Sequence, residues 1–348
     1  GDAAEVVWVP RDRRYGEKLA TPDITIADLI GEVDPIKVAE GRYLSDELTI
    51  HYGLLPRTNR GIFVINELPD LAERIQVGLL NIMEERDVQI RGYKVRLPLD
   101  LYVVASANPE DYTNRGRIIT PLKDRFGSQI RTHYPRRLDD EITIMEAERT
   151  SFPADGFRVA SPEYMKQVVA ELTHLARKSP EISQRSGVSV RVSICNYENL
   201  MSNALKRAIR LGERDVAPRV SDLGAIVAST SGKIELETLG EGGEEKVLGR
   251  LVQRAVLNVF NKRFSAGELD EVVAAFQNGL NVTVSDAMPS AEYVSQIGAL
   301  RPLKAAVKKL GAEDPASMAA ALEFVLEGLH LSRKLNKDVQ AGQSRYRG

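Results

Sequence analysis

The sequence has a single cysteine, Cys195, among 348 residues. That excludes an intramolecular disulfide framework and fits a reducing compartment. No apolar run approaches the roughly 18 residues that a membrane span needs. Residues 1–14 lack the apolar core of a signal peptide. The four histidines, His51, His133, His174 and His330, are scattered singly. With one cysteine they make neither a metal-ligand spacing nor a nucleophile–base pairing. An excess of one charge is also missing: 47 Lys and Arg stand against 49 Asp and Glu, a net charge of −2. A chain-wide basic footprint for nucleic acid is therefore absent. With 26 glycines and 16 prolines the chain is not low-complexity, and no internal repeat is found. What is present is ordinary globular composition, 43% hydrophobic and 28% charged. This points to a cytoplasmic protein without membrane association. At roughly 150 residues per domain it holds two or three domains.

The first 135 residues alternate short apolar runs with helical patterns. Val6–Val9 reads as a short strand ended by Pro10. Gly61–Ile65 and Leu101–Ala107 are continuous apolar runs of the kind that buried parallel strands show. Ser128–Tyr134 is a weaker fourth run. Between the second and third, Leu71, Ile75, Leu79 and Ile82 recur at helical spacing and predict a helix over about Leu68–Glu85. Val88–Arg91 and Lys94–Leu97 flank Gly92-Tyr93 as a β-hairpin would. Such alternation argues for an α/β layer with a mainly parallel sheet. From Pro135 onward strand signals nearly vanish. Helices are expected near Glu163–Arg177, Ser189–Leu211, Ser221–Thr230, Lys246–Phe264, Glu268–Leu280 and Ser290–Ala299. A last one starts at Asp314-Pro315, an N-cap followed by proline in the first turn. The glycine-rich run Leu239–Glu244 reads as a linker, and the polar end Arg333–Gly348 as frayed. The expected domains are 1–135, 136–238 and 239–348.

Four local patterns could carry chemistry. Gly61–Ile65 ends in Asn66-Glu67, two polar residues at the C-terminal edge of a buried strand, where open α/β sheets bind ligands. In nucleotide hydrolases the first such residue holds Mg²⁺ or its water, and the second is an acid that orients the attacking water. The same pair can also simply cap the next helix. The following apolar strand ends in Ser106-Ala107-Asn108-Pro109, where an asparagine can reach a γ-phosphate from the neighbouring strand or merely form an Asn-Pro turn. Pro121–Gly127 places Arg125 beside an apolar anchor. A guanidinium so placed can act on a neighbouring subunit's phosphate, or pair locally with Asp124 or another residue. Gly187–Arg191 opens a long helix with an arginine, a good anion site, though lone arginines there are usually solvated.

Taken in this order, the patterns resemble AAA+ ATPases of the magnesium-chelatase I-subunit and MoxR-like branch. Leu54–Glu67, Ala105–Glu110 and Pro121–Gly127 carry the resemblance, which covers roughly residues 15 to 230. It is nearest to actinobacterial chelatase-I-like members with Asn-Glu in place of Asp-Glu. It implies that Asn66 and Glu67 form the Walker B pair, with Asn66 toward Mg²⁺ and its water. Asn108 would be sensor 1, Arg125 the arginine finger, and Arg191 sensor 2. The hairpin at Val88–Leu97 would precede sensor 1, and Leu29–Thr49 would be the insertion before the Walker B strand. The implied architecture is an AAA+ P-loop-type parallel core, incomplete here, then an all-α lid and a helical C-terminal domain. The implied activity is ATP hydrolysis with Mg²⁺ in a homo-oligomeric ring, a hexamer, that remodels or metallates a partner with a von Willebrand A-type domain. A scaffold subunit with a degenerate ATP site is the alternative. A nucleic-acid motor using Arg91, Lys94 and Arg96 is a further one, disfavoured by the near-neutral chain. The sigma-54 activator branch shares the core, but its Gly-Ala-Phe-Thr-Gly-Ala loop is absent.

One departure matters: no G-x-x-x-x-G-K-[ST] occurs. Ser231-Gly232-Lys233-Ile234 is nearest, but Val227 stands at the first glycine position and no hydroxyl residue follows the lysine. In the family's strand order 5-1-4-3-2 the P-loop strand is central, so this sequence reads as the C-terminal portion of a longer protein. Backbone amides and a lysine cradle the β- and γ-phosphates in such sites. This chain alone is therefore expected to bind ATP very weakly and to be inactive. Titration calorimetry checks it, and micromolar affinity for residues 1–348 would overturn the expectation.

Overall fold

Three short parallel strands organise the first of two structural units, Gly1–Arg131. The structure, a computed structural model, describes residues 6–40, 49–86, 98–108, 116–151, 156–183, 187–237, 243–298, 301–340 and 342–348. In chain order the unit contains β1 (Tyr15–Leu19), α1 (Ile26–Leu29), β2 (Gly31–Val33), α2 (Pro35–Ala39), β3 (Ile50–Tyr52) and α3 (Leu54–Arg57), then β4 (Ile62–Asn66), α4 (Glu73–Glu85), β5 (Tyr102–Ala105) and α5 (Thr120–Arg125). The main sheet has the order β1–β4–β5, with both pairings parallel. β4 is central and alternates: Phe63 and Ile65 are buried, whereas Ile62 faces solvent. Beneath Phe63 and Ile65 lie Leu71 and the α4 residues Ile75, Leu79 and Ile82, in one apolar cluster. The expected helix over Leu68–Glu85 thus divides into a 3-10 turn, Leu68–Asp70, and α4. β2, inside the stretch Leu29–Thr49 expected to be an insertion, pairs antiparallel with β3, which directly follows that stretch.

Two expected strands are absent. Val6–Val9 forms no strand, and Trp8 is 88% exposed. The strand of that region is β1, concealed in the sequence by Glu17 and Lys18, which an edge strand tolerates. Ser128–Tyr134 runs unpaired, with Ile130 exposed, because no described strand lies beside it. The expected hairpin Val88–Leu97 falls outside the described residues.

The second unit, Thr132–Gly348, is mainly helical. It comprises α6 (Leu138–Glu148), β6 (Arg158–Val159), α7 (Glu163–Ala176), α8 (Arg191–Leu211), β7 (Asp215–Val216), α9 (Ala225–Ser231), α10 (Gly243–Arg263) and α11 (Asp270–Gln277). After these come β8 (Asn281–Ser285), α12 (Ser290–Gly298), α13 (Arg301–Lys309), α14 (Pro315–Leu331), β9 (Asn336–Gln340) and β10 (Gln343–Arg347). Residues on both sides of the expected 239 boundary share one continuous core, in which α10 packs on α7 and α14. α14 starts as its sequence predicts: Asp314 accepts hydrogen bonds from the amides of Ala316 and Ser317, both at 3.0 Å. It is apolar nearly all round and buried at Ala316, Ser317 and from Ala319 to Leu329, as such helices must be. Gly328 is required at its crossing with α10, since a Cβ there would lie 2.1 Å from the Phe260 ring.

The chain end is not frayed. β8, β10 and β9 form an antiparallel sheet, and Tyr346 is buried. Glu327 of α14 anchors it by accepting hydrogen bonds from the Tyr346 hydroxyl and from Lys337 Nζ (2.7 Å). One turn earlier on α14, Glu323 accepts from the Tyr293 hydroxyl (2.6 Å) and the Ser221 amide (2.8 Å). The polar alternation of β9 and β10 matches an exposed tail until the buried Glu327 carboxylate satisfies it.

α6, α7 and α8 are joined by Glu141, which is fully buried. It receives Arg177 Nη1 at 2.7 Å and Nη2 at 3.0 Å, and the Ser193 hydroxyl at 2.7 Å. His174 Nε2 lies 3.4 Å from the same carboxylate. Burial, with Arg177 adding to it and Glu141 opposing, holds the His174 imidazole below its usual range. On acidification the unfolded chain therefore takes up that proton first, and stability falls as pH drops below about 6.5. His174→Gln should shrink the loss of melting temperature between about pH 7 and pH 5. An unchanged pH dependence of the melt would count against this assignment.

Candidate active site

Asn66 is the last residue of the central strand, and Glu67 follows it at the C-terminal edge of the sheet. Glu67 has φ 57° and ψ 50°. A left-handed conformation is costly for a residue with a Cβ, and such outliers concentrate at functional sites. Here it is held from both sides. The Glu67 amide donates to Ser106 Oγ at 3.0 Å, and the Leu68 amide to the Ser106 carbonyl at 2.9 Å. The Ser106 hydroxyl in turn donates to Asn66 Oδ1. The Ser106 amide reaches back to the Ile65 carbonyl at 2.9 Å, and on the other side Ala20 donates to the Asn66 carbonyl at 2.7 Å. Parallel register thus brings the ends of β4 and β5 together. Asn66, Glu67 and Ser106 form one hydrogen-bonded cluster, with Asn108 two positions further along the same strand end. Glu67 is half-buried and Asn108 exposed.

Asn66 Oδ1 already accepts the Ser106 hydroxyl, so its expected contact with hydrated Mg²⁺ must share that oxygen. Among the described residues no group of three or more His, Cys, Asp or Glu could hold a metal ion. The described residues alone therefore do not make a Mg²⁺ site.

Arg125 lies elsewhere in the same unit. β4 leads up to Glu67, α4 runs back along the sheet, and the chain re-enters β5 from the opposite end. There Leu99 donates to the Arg86 carbonyl at 2.9 Å. At about 3.3 Å per residue, Leu99 and Ser106 are roughly 20 Å apart. The segment 116–125, which ends in α5, follows the same course. Gly116 abuts the Pro69 carbonyl at the Glu67 end, where a Cβ would sit 2.2 Å from that oxygen. At the far end Arg125 Nε donates to Glu84 Oε2 at 2.9 Å, its Nη2 meets the same oxygen, and Nη1 donates to the Pro121 carbonyl at 2.7 Å. The carboxylate that Arg125 meets is Glu84's, the other residue that the local-pair alternative allowed besides Asp124. One copy of the chain thus does not bring Arg125 to Glu67. Arg191 belongs to the second unit; it is the exposed first residue of α8, its amide donating to Ser189 Oγ at 3.2 Å.

Three participants escaped the sequence reading. Ser106 lies in the Ser106-Ala107-Asn108-Pro109 run, and a hydroxyl at a strand end is its signal. Gln76 is fully buried on α4, a polar residue on an otherwise apolar helix face. Glu84 had no signal, being an exposed residue in a last helical turn.

No protein-family model matches the chain. A magnesium-chelatase 38 kDa subunit of Cereibacter sphaeroides is 32% identical over 105 residues, 30% of each chain. The uncharacterized protein YeaC of Bacillus subtilis is 23% identical over 203 residues, 53% of this chain and 59% of YeaC. The chain therefore spans less than two thirds of the length of each of these curated relatives. Among solved structures, NtrX of Brucella abortus in complex with ADP is 17% identical, covering 86% of this chain and 59% of that one, with a TM-score of 0.39. A complex of magnesium-chelatase subunits BchI and BchD is 18% identical, covering 68% and 73%, with a TM-score of 0.31.

The left-handed backbone at Glu67 and the Ser106 hydroxyl make opposite predictions for stability. Glu67→Gly should raise it by about 0.5–1 kcal/mol, the strain relieved less the added chain entropy. Ser106→Ala should lower it by about 0.5–1.5 kcal/mol. Urea melts monitored by circular dichroism check both, and a destabilised Glu67→Gly would contradict the strain argument.

Proposed function

We infer that this chain, of the AAA+ ATPase family and the chelatase-I-like type, supplies the water-activating and finger parts of an ATP-hydrolysing site. The observation that carries the reading is the Asn66–Glu67–Ser106 cluster at the C-terminal edge of a central parallel strand, with Arg125 about a sheet's length away. The Glu67 carboxylate would accept a hydrogen bond from the attacking water and take up its proton. Asn108 would orient that water or the γ-phosphate from the neighbouring strand. Arg125, out of reach of its own Glu67, would meet the phosphate of an adjacent subunit. Arg191, at the N-terminus of α8, would respond to the γ-phosphate. ATP is the substrate, and hydrolysis at subunit interfaces implies a closed ring, a hexamer on the family's pattern. The proposed partner carries a von Willebrand A-type domain.

The sheet supports this reading in another way. Among the described residues no strand pairs with the outer edge of β5. Ile62, Tyr102, Val104 and Leu19 are exposed on the apolar face that continues to that edge. Parallel sheets are normally covered on both faces. In the family's order this edge is where the P-loop strand pairs, so the phosphate cradle would join the cluster from there.

A second reading, a scaffold subunit that does not turn over ATP, is favoured by the neutral Asn66 with its engaged oxygen. ATPase rates of the native protein and its Glu67→Gln variant separate the two, because equal, negligible rates favour the scaffold. The finger has its own test. Arg125→Ala should leave ATP binding intact and lower turnover by roughly 10³-fold or more. Arg125→Ala and Glu67→Gln subunits should each be inactive alone and regain activity when mixed, since mixed interfaces combine a sound Glu67 with a sound Arg125. No rescue in rings verified to be mixed would remove Arg125 from the site.

A further inference from the structure

We propose that Glu84 is the positioning residue for the Arg125 guanidinium, holding it ready for a neighbouring subunit's phosphate; this rests on reading Arg125 as a trans-acting finger. α5 is fixed on α4 at both ends. At its start the fully buried Gln76 accepts the Ile119 amide through Oε1 (2.9 Å) and donates through Nε2 to the carbonyls of Arg117 (3.0 Å) and Leu71 (2.9 Å). In its middle Leu122 is fully buried. These contacts secure the helix backbone but leave the long Arg125 side chain to be placed by something else. Glu84 does this, two helical turns beyond Gln76. Its Oε2 takes both Nε and Nη2, while Nη1 is held by the Pro121 carbonyl.

Two features separate this from an ordinary surface ion pair. The first is the donor count. A guanidinium has five N–H groups, and Glu84 and Pro121 take three, so two remain for a phosphate from another molecule. The second is the asymmetry of exposure: the Arg125 side chain is 25% exposed and that of Glu84 61%. So open a carboxylate adds little to folding. Its effect is to remove rotamer freedom from the group that must meet the phosphate, which is how positioning raises rate. It also ties the finger to α4, the helix that follows Glu67, so a shift of the Glu67 end can move the finger presented to the next subunit.

The test uses the native protein. Glu84→Ala should lower the kcat for ATP by about 10- to 100-fold, with KM and the melting temperature unchanged. Glu84→Gln, which keeps an acceptor oxygen, should fall between this and the native rate. Subunit mixing provides the readout that a merely structural role would not give. Glu84→Ala subunits should be rescued by Glu67→Gln subunits, which carry a sound finger, and not by Arg125→Ala subunits. Rescue by Arg125→Ala subunits would show that Glu84 serves its own subunit's nucleotide site and would overturn the proposal. So would a native kcat in Glu84→Ala when Arg125→Ala is inactive. Full turnover in Arg125→Ala would instead remove the finger reading itself, and the role of Glu84 with it.

Discussion

Parallel pairing of β4 with β5 is the constraint on which the first unit depends. Two parallel neighbours cannot be joined by a tight turn, so the chain must travel back the length of the sheet before the second strand begins. α4 makes that return, burying Ile75, Leu79 and Ile82 beneath Phe63 and Ile65. The ends of α4 thereby acquire different surroundings. The end after Glu67 lies beside the exits of both strands, where their last residues converge. The other lies where β5 enters, with Glu84 and Arg125. The separation of the candidate acid from the candidate finger is thus a consequence of strand direction.

At the exit end, one hydroxyl organises the local geometry. Ser106 accepts the Glu67 amide and donates to the Asn66 side chain, while its own amide and carbonyl continue the β ladder. Glu67 could relax from its left-handed conformation only by giving up bonds on both of its flanks. Strain of this kind persists where the surroundings over-determine the backbone. The result is a Glu67 backbone fixed at the sheet edge by a hydrogen-bonded turn. On the proposed reading, that is what an acid orienting a single water requires.

The second unit shows what buried charge contributes when it is fully partnered. Glu141 joins α6, α7 and α8 through Arg177 and Ser193, and Arg177 also donates to the Val188 carbonyl (2.9 Å) and lies over the Tyr134 ring. The chain entering α8, and with it Arg191, is placed by this network. Glu323 and Glu327 do the same for α12 and the C-terminal sheet. A lone buried carboxylate would be strongly unfavourable, whereas one with several donors fixes the relative positions of the elements that supply them.

The helices were largely legible in sequence because apolar residues at helical spacing leave few other ways to bury them. α7, α8, α10 and α14 fall within a few residues of their expected bounds. β4 and β5 were legible for a related reason: a continuous apolar run needs cover on both faces. So was the Asn66-Glu67 pair, since polar residues ending such a run have few other places to lie. β1 and the C-terminal sheet were not legible, because short polar strands exist only through their partners, as Tyr346 does through Glu327. Val6–Val9 and Ser128–Tyr134 failed in the opposite sense, having strand composition and no neighbour. By itself the sequence determined which residues seek the interior and which motif ends the central strand. Only the tertiary structure decided that Ser106 holds Glu67 and that Arg125 turns to Glu84, since both contacts join residues about forty positions apart and arise from packing that local spacing does not encode.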